Sequence, residues 1–543
     1  METEGKTISG TSEEGKESPN PAPTGESWTP GFNPWLIAIS VMLATVMEVL
    51  DTSVANVALP HISGNLSATT EEATWVLTSY LISNAIILPA TSWITSFVGR
   101  KRFLILCIIL FTFASALCGA APNLQILILA RILQGIGGGA LQPIAQAILL
   151  ESFPPEKRGS AMALYGMGVV VAPIIGPTLG GWITDNYSWR WIFYINLPVG
   201  ALAAFMANTF VEDPPYIKNQ KPGRIDYIGF GLMALGLSAL ELTLDLGQQR
   251  DWFSSPVIIF TTVSCAVSLL TFIAWELYTP DPIVNLRIFL NRNFAVGTLL
   301  IASVGVVLYG STALLPLFLQ TLLGYPAVES GMAVSPRGIG SIVSMVIVGR
   351  LIGRIDSRYL IMFGFAVLGY SMYLFTGINL DIAQRNVIVP MIISGFALGF
   401  VFVPLTTLTM GTLSNKEIGN ASGIYNLMRN TGGSFGIALM TTFLARGSQQ
   451  HQAVLMPNVN QYNPAFQQMF EQIKHSLMAT ADPVTAAQRA YQVIYGMVVV
   501  KQAAVLAYID NFRLMAILCF LGIPAALFFA RIKNKKPPPG AAH

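Results

Sequence analysis

Charge is what this sequence has least of: Asp, Glu, Lys and Arg together make up 11% of its 543 residues, against roughly 25% in a soluble domain. With 53% hydrophobic residues and a mean hydropathy of +0.58, the composition excludes an ordinary soluble core. The 31 basic and 28 acidic residues nearly cancel, so there is no basic surface of the kind a nucleic-acid binder needs. Cysteine is equally sparse. Cys107, Cys118, Cys265 and Cys519 each lie inside an apolar run without metal-ligand spacing, as small buried hydrophobes do. There is also no nucleotide-binding loop, no metal-ligand cluster and no nucleophile with a paired base, which argues against an enzyme or an ATP-driven pump. The first 34 residues, rich in Glu, Ser, Gly and Pro, lack the apolar core and cleavage site of a signal peptide and read as a disordered tail.

What is present is a series of apolar runs of about 20 residues, the length that crosses a ~30 Å hydrocarbon layer as a helix. They are placed near 35 to 59, 73 to 97, 103 to 121, 124 to 151, 159 to 185, 190 to 211, 225 to 246, 256 to 277, 293 to 320, 329 to 353, 359 to 378, 386 to 412, 417 to 445 and 508 to 531, fourteen spans in all. The fold class is therefore an all-α polytopic membrane protein. Loop charges orient it. With the N-terminus inside, Arg100, Lys101, Arg102, Lys157, Arg158, Lys218, Lys221, Arg224, Arg287, Arg292, Arg350, Arg354, Arg358 and Lys416 fall in cytoplasmic loops, and only Arg190, Arg250 and Arg385 in short outer ones. Both termini are then cytoplasmic, and residues 446–507 form a long outer loop with an amphipathic helix.

An offset of 260 residues superimposes "GSAMALYG" from Gly159 on "GNASGIYN" from Gly419, and pairs Gly135 with Gly395, Gly139 with Gly399, Tyr165 with Tyr425 and Gly176 with Gly436. The chain thus divides into a tail over 1–34, a six-helix half over 35–211, an insert with two extra helices over 212–285, a second six-helix half over 286–532, and a short tail over 533–543. Two related bundles around a central cavity are how secondary transporters hold a midplane site and alternate between faces.

Basic residues inside spans are few: Arg131, Arg337, Arg429 and Arg513. Charges there are expensive and normally face a bundle interior or a watery cavity. Glu48 and Asp51, three residues apart, share one face of the first helix. Counting ~1.5 Å per residue from the outer ends of their helices puts Asp51 and Arg131 at the same depth. Two readings stay open. Either Asp51 or Glu48 binds a coupling proton that helix movement loads and releases, or Asp51 and Arg131 form a permanent pair that orients helices. Glu241 and Asp245 are a second acid pair one turn apart, near the outer end of an inserted helix expected to pack outside both halves. Arg337, Arg429, Trp75, Tyr80 and Tyr309 are the cavity candidates.

These residues resemble the fourteen-helix drug:proton antiporter branch of the major facilitator superfamily, the EmrB/QacA type. The resemblance rests on "LDTSVANVALP", "RILQGIGGGA", "GMGVVVAPIIGPTLGG", "WRWIFYINLPVG", "RNTGGSFG" and "LDLGQQRDWFSS", and spans nearly the whole chain. It implies a proton-coupled multidrug efflux antiporter of the bacterial inner membrane that moves hydrophobic or amphipathic compounds by alternating access. It also implies a proton gradient rather than any cofactor, functional roles for Asp51 and Arg131, which with Glu48 are the proton-coupling candidates, and an EmrA-type periplasmic adaptor with an outer-membrane channel, the loop at 446–507 being the candidate contact. In the fifth span Gly166, Pro173, Gly176, Pro177, Gly180 and Gly181 carry the antiporter signature; the prolines should bend that helix and the glycines admit a helix from the other half. The loop after the second span keeps Gly99, Arg100 and Lys101 but has Ser96 and Phe97 where the branch's acidic and basic residues stand. The competing function is a uniporter or importer of one metabolite on the same scaffold, which would run without proton counterflow.

Overall fold

The computed structural model describes residues 30–154, 157–214 and 226–530. The expected tails at 1–34 and 533–543 lie outside the described residues except for 30–34, as do Lys218, Lys221 and Arg224. Helices account for nearly everything that is described: α1 Pro34–Asn65, α2 Thr70–Val98, α3 Arg100–Ala120, α4 Leu124–Gly138, α5 Leu141–Ser152, α6 Arg158–Asn186, α7 Trp191–Tyr194, α8 Asn196–Phe210, α9 Tyr227–Leu246 and α10 Pro256–Tyr278, followed by α11 Arg292–Thr321, α12 Ala327–Val334, α13 Pro336–Leu351, α14 Ser357–Leu374, α15 Arg385–Met410, α16 Asn415–Leu455, α17 Pro464–Leu477, α18 Pro483–Ile494 and α19 Gln502–Ala525. One isolated bridge between Ile352 and Ile355 is the nearest thing to a strand among the described residues.

Local chemistry sets the helix starts. Thr69 caps α2 and Ser414 caps α16, each in a reciprocal box with Glu72 or Glu417 three residues on. Asn33, Asn123, Asp226 and Asn291 cap α1, α4, α9 and α11 with side-chain oxygens. Where sequence reading ends the first span near residue 59, α1 continues through Pro60 to Asn65. Pro60 removes one hydrogen bond, to the carbonyl of Asn56, and both residues are exposed.

Thirteen of the described helices, some of them joined, are long and apolar enough to cross a membrane. The fourteenth expected span lies in α16, which is too polar for that test yet packs through glycines: Gly432 and Gly436 lie against the backbone of α11 at Ala302 and Val306, so that any larger residue would clash. α16 then runs on to Leu455, a 41-residue helix. The expected outer loop at 446–507 is accordingly helical over most of its length: the end of α16, an amphipathic pair α17 and α18, and a π-helical turn over Tyr495–Lys501 that feeds α19. Lys501 therefore lies inside a continuous helical rod, at an exposed position.

The two halves pack alike. Gly135 and Gly139 bring α4 onto α2 at Tyr80 and Asn84, while Gly395 and Gly399 bring α15 onto α13 at Arg337 and Ser344. Gly176 sets α6 on α1 at Ser53, as Gly436 sets α16 on α11 at Val306. Each pair of crossings is related by the 260-residue offset. Of the inserted helices, α10 is the outermost and packs mainly on α9. α9 is not peripheral to both halves as expected: it lies against α2 of the first half and α16 of the second.

Candidate functional site

The first helix delivers both acids to the interior, where Glu48 is 3% and Asp51 2% exposed. Asp51 Oδ2 receives Arg131 Nη1 at 2.6 Å, and its Oδ1 receives Gln134 Nε2 at 2.9 Å and Asn196 Nδ2 at 2.7 Å. Arg131 is held from other sides as well, its Nε on the Val76 carbonyl at 3.0 Å and its guanidinium 4.3 Å above the Tyr80 ring. Both carboxylate oxygens are thus satisfied by α4 and α8, and α1 is pinned to them. A buried pair with this many fixed donors offsets its desolvation, whereas either partner alone would be a bare charge.

Glu48, one turn earlier, has a different shell. Tyr80 Oη donates to Oε1 at 3.0 Å, Asn84 Nδ2 to Oε1 at 3.2 Å and Gln142 Nε2 to Oε2 at 2.6 Å. Among the described residues no cation touches it directly. The link to positive charge passes through Gln142, whose Oε1 accepts a short hydrogen bond from Arg429 Nη2 on α16 of the second half. Arg429 is further held by Asn430 Oδ1 at 3.3 and 3.1 Å. Beside this chain Asn426 Nδ2 donates to Gln146 Oε1 at 2.7 Å and Tyr165 Oη donates to Asn426 Oδ1 at 3.1 Å. Glu48 and Arg429 are therefore the two ends of one polar chain that crosses between the halves.

The structure thus brings together Glu48, Asp51, Arg131, Tyr80 and Arg429. Tyr80, expected in the substrate cavity, belongs instead to the carboxylate cluster. Trp75 is 37% exposed and joins neither acid's shell. Tyr309 packs its ring on Gly433 of α16. Arg337 lies on α13, fully buried, with Nη1 on Ser311 Oγ at 3.3 Å and Thr312 Oγ1 at 3.0 Å. Sequence reasoning missed the neutral amides Asn84, Gln134, Gln142, Gln146, Asn196 and Asn426. Their signal was there: Gln134, Gln142 and Gln146 recur at multiples of four residues along one apolar span.

In α6 the helix continues through Pro173 and Pro177. Pro177 leaves the Pro173 carbonyl without its helical donor, and Ser53 Oγ of α1 supplies one at 2.9 Å. One expectation is corrected here: the helix admitted at Gly176 and Gly180 is α1 of the same half, because Ser53 and Val54 present small faces there. The second half approaches α6 at Gly166, where Phe402 and Met345 lie, and more loosely at Gly181, where Val328 is 3.9 Å from an added methyl. In the loop after α2, Gly99 adopts φ +87°, Lys101 N donates to Asp213 Oδ1 at 2.8 Å, and Arg100 makes a short ion pair with Glu151 at the end of α5. Phe97 stacks edge-on against Trp93. Among the described residues no group of His, Cys, Asp and Glu is placed to hold a metal ion.

Two repeated bundles, buried charge confined to the space between helices and a polar chain across the seam define a polytopic membrane transporter. The model of the Major Facilitator Superfamily matches residues 41–437. The chain is 36% identical to the multidrug export protein EmrB of Haemophilus influenzae over 94% of its length and 97% of the relative's. It is 38% identical to EmrB of Escherichia coli over 81% of the chain and 86% of the relative. In fold it resembles the proton:xylose symporter XylE, with a TM-score of 0.56 at 13% identity, covering 87% of this chain and 98% of that one. The chain belongs to the Major Facilitator Superfamily and, within it, to the EmrB type. Its relatives are transporters, not enzymes.

Proposed function

We propose that this protein exports hydrophobic or amphipathic drugs across the bacterial inner membrane by alternating access, in exchange for protons, with both termini in the cytoplasm and no cofactor beyond the proton gradient. The multidrug export relatives support the export reading. The observation that carries the coupling is the contrast between the two acids: Asp51 is locked in an ion pair, while Glu48 meets only neutral donors and connects through Gln142 to the second half. Glu48 exchanges a proton without breaking an ion pair, and doing so alters the hydrogen bonds that tie the halves together. Asp51 and Arg131 act as the fixed post against which this change works. Across ~100 mV each transported charge contributes ~2.3 kcal/mol before any pH gradient is added.

The test is proton flux in proteoliposomes on adding ethidium, for wild type, Glu48→Gln and Asp51→Asn. Drug-dependent proton release is expected from wild type and lost in Glu48→Gln, while Asp51→Asn lowers expression and rate together. Proton release that persists in Glu48→Gln removes Glu48 from the coupling.

The helical pair α17 and α18 is the proposed contact for a periplasmic adaptor that leads to an outer-membrane channel. Phe470, Phe466, Tyr491 and Tyr495 pack ring to ring in series there, and the first three line a groove of about 600 Å³. Photocrosslinkers at Phe470 are expected to capture an EmrA-type adaptor in membranes, and capture by adaptor-free lipid alone argues for a membrane-surface cap.

A further inference from the structure

Three arginines lie fully buried among the helices, and for two of them the protein supplies an acid: Asp51 directly for Arg131, and Glu48 through Gln142 for Arg429. Arg337 has none among the described residues. Among the described residues the hydrogen-bond partners of its guanidinium are the hydroxyls of Ser311 and Thr312, both on Nη1. Nε and Nη2 are buried and make no hydrogen bond. Those two atoms form one edge of the guanidinium, with parallel N–H bonds spaced to meet a carboxylate in two hydrogen bonds. An arginine does not shed its proton, so the positive charge persists and calls for an anion.

The repeat explains where the acid went. Ser311 is 260 residues on from Asp51, so the second half has a serine at the place of the first half's acid while a buried arginine still points to it. On the neighbouring helix, the Ser394 hydroxyl is also buried without a partner, next to Gly395, which abuts the Arg337 backbone. The surroundings are apolar on the side of the seam: a methyl placed on the adjacent Gly338 would lie 3.7 Å from Ile174 and 3.9 Å from Val171 of α6, in the other half.

We infer that Arg337 is the anion subsite of the transport path, holding the carboxylate of an amphipathic substrate through its Nε and Nη2 edge while the apolar body lies along the seam with α6. The inference rests on the export reading above and deepens it, assigning acidic amphiphiles to the second half of the molecule. Ser311 and Thr312 position the guanidinium by holding its other end.

The test uses the full-length protein and two probes that share ring and chain, pyrenebutyrate and pyrenebutyl-trimethylammonium. Binding is read by fluorescence anisotropy on purified protein and transport in proteoliposomes. Arg337→Gln is expected to weaken pyrenebutyrate binding by about tenfold or more, with the trimethylammonium probe changed by less than about threefold. Arg337→Lys, a point charge without the fork, should fall between. Equal effects on both probes, or none, overturn the assignment. Should Arg337→Gln fail to fold, thermal melting of wild type keeps the test: protection by pyrenebutyrate and not by the cationic probe supports the subsite. Protection by sodium chloride, absent with sodium gluconate and equal to that of pyrenebutyrate, overturns it in favour of an inorganic anion site. If neither probe is transported yet pyrenebutyrate binding depends on Arg337, the export reading fails while the subsite stands.

Discussion

Glu48 sits in a pocket that has no room for one more carbon. A methyl group on Gly138 would lie 2.6 Å from the Tyr80 hydroxyl and 3.3 Å from Glu48 Cγ, so the glycine is there to let the carboxyl and the phenol meet. Gly138→Ala is expected to cost about 1–3 kcal/mol by overpacking and to lower proton-coupled transport more than it lowers melting temperature, measured side by side in proteoliposomes and by thermal unfolding. Arg131→Ala should be harsher, since it strands Asp51 as a buried unpaired charge at a cost of about 3–5 kcal/mol. Adding Asp51→Asn to it should recover part of that loss in melting temperature, and a double-mutant cycle that comes out additive would show that the pair is not coupled. The charged residues of this cluster were legible in the sequence, because a charge inside a span is conspicuous and depth matching alone paired Asp51 with Arg131. The amides were passed over, because a search for charge inside spans skips Asn and Gln; the four-residue recurrence of Gln134, Gln142 and Gln146 marks one face, but only three-dimensional contact shows that Gln142 spans the halves.

Among the elements, α9 departs most from what the sequence suggested. The insert's composition gave no hint of where it docks, because an apolar helix fits lipid and protein equally well. Docking is decided by polar atoms: Asp245 makes a short hydrogen bond with Thr78 of α2, Glu241 receives Ser434 Oγ of α16 at 3.3 Å, and Trp252 Nε1, just beyond α9, donates to Thr442 Oγ1 of α16 at 3.0 Å. The helix therefore straps one half to the other. Its broader contact is with α2, so when the halves rock it should travel with the first half and part from α16. A cysteine pair at Glu241 and Ser434 is expected to arrest transport on oxidation and to release it on reduction. Transport unaffected by the crosslink would mean that α9 rides with α16. Elsewhere, α18 begins on Asp482, whose carboxylate accepts Val484 N and Thr485 N at 3.1 Å each. The Thr485 side chain first, and these backbone bonds after it, hold its carboxyl below the usual carboxylate range. A depressed pKa stabilises the helix start above the ordinary aspartate range and loses that contribution as pH falls through the lowered value. The protection factor at residues 484–486, the intrinsic exchange rate at a given pH divided by the observed one, is therefore expected to fall on acidification in wild type and to be low already at neutral pH in Asp482→Ala.

For the molecule as a whole, the sequence repeat marked both the division into halves and the crossings inside each, because glycines at contacts are constrained by backbone approach and so keep their register. It said less about how the halves meet. They touch at the end where α1 begins and α19 finishes through Gly159 against Ile352, Ser160 Oγ donating to the Gly349 carbonyl at 3.4 Å, and Gly419 against Ser92. Apart from Ile352 these are contacts of small residues, so little apolar surface is matched across them. A bulky residue at Gly159 should hold that end apart. Gly159→Leu is expected to raise cysteine labelling from that end at position 160 and to reduce turnover, with unchanged labelling arguing that the contact persists by repacking.

The arrangement around Gln142 gives the protein a polarity rule. An amide has a donor end and an acceptor end, and here the donor faces Glu48 while the acceptor faces Arg429. When Glu48 takes a proton on the oxygen that faces Gln142, that oxygen becomes a donor, and the amide must turn its oxygen towards it. Its NH2 then faces the guanidinium, donor against donor, and the bond across the seam is lost. On the proposed coupling, one side chain would thus work as an inverter, converting the arrival of a proton in one half into the loss of a hydrogen bond to the other.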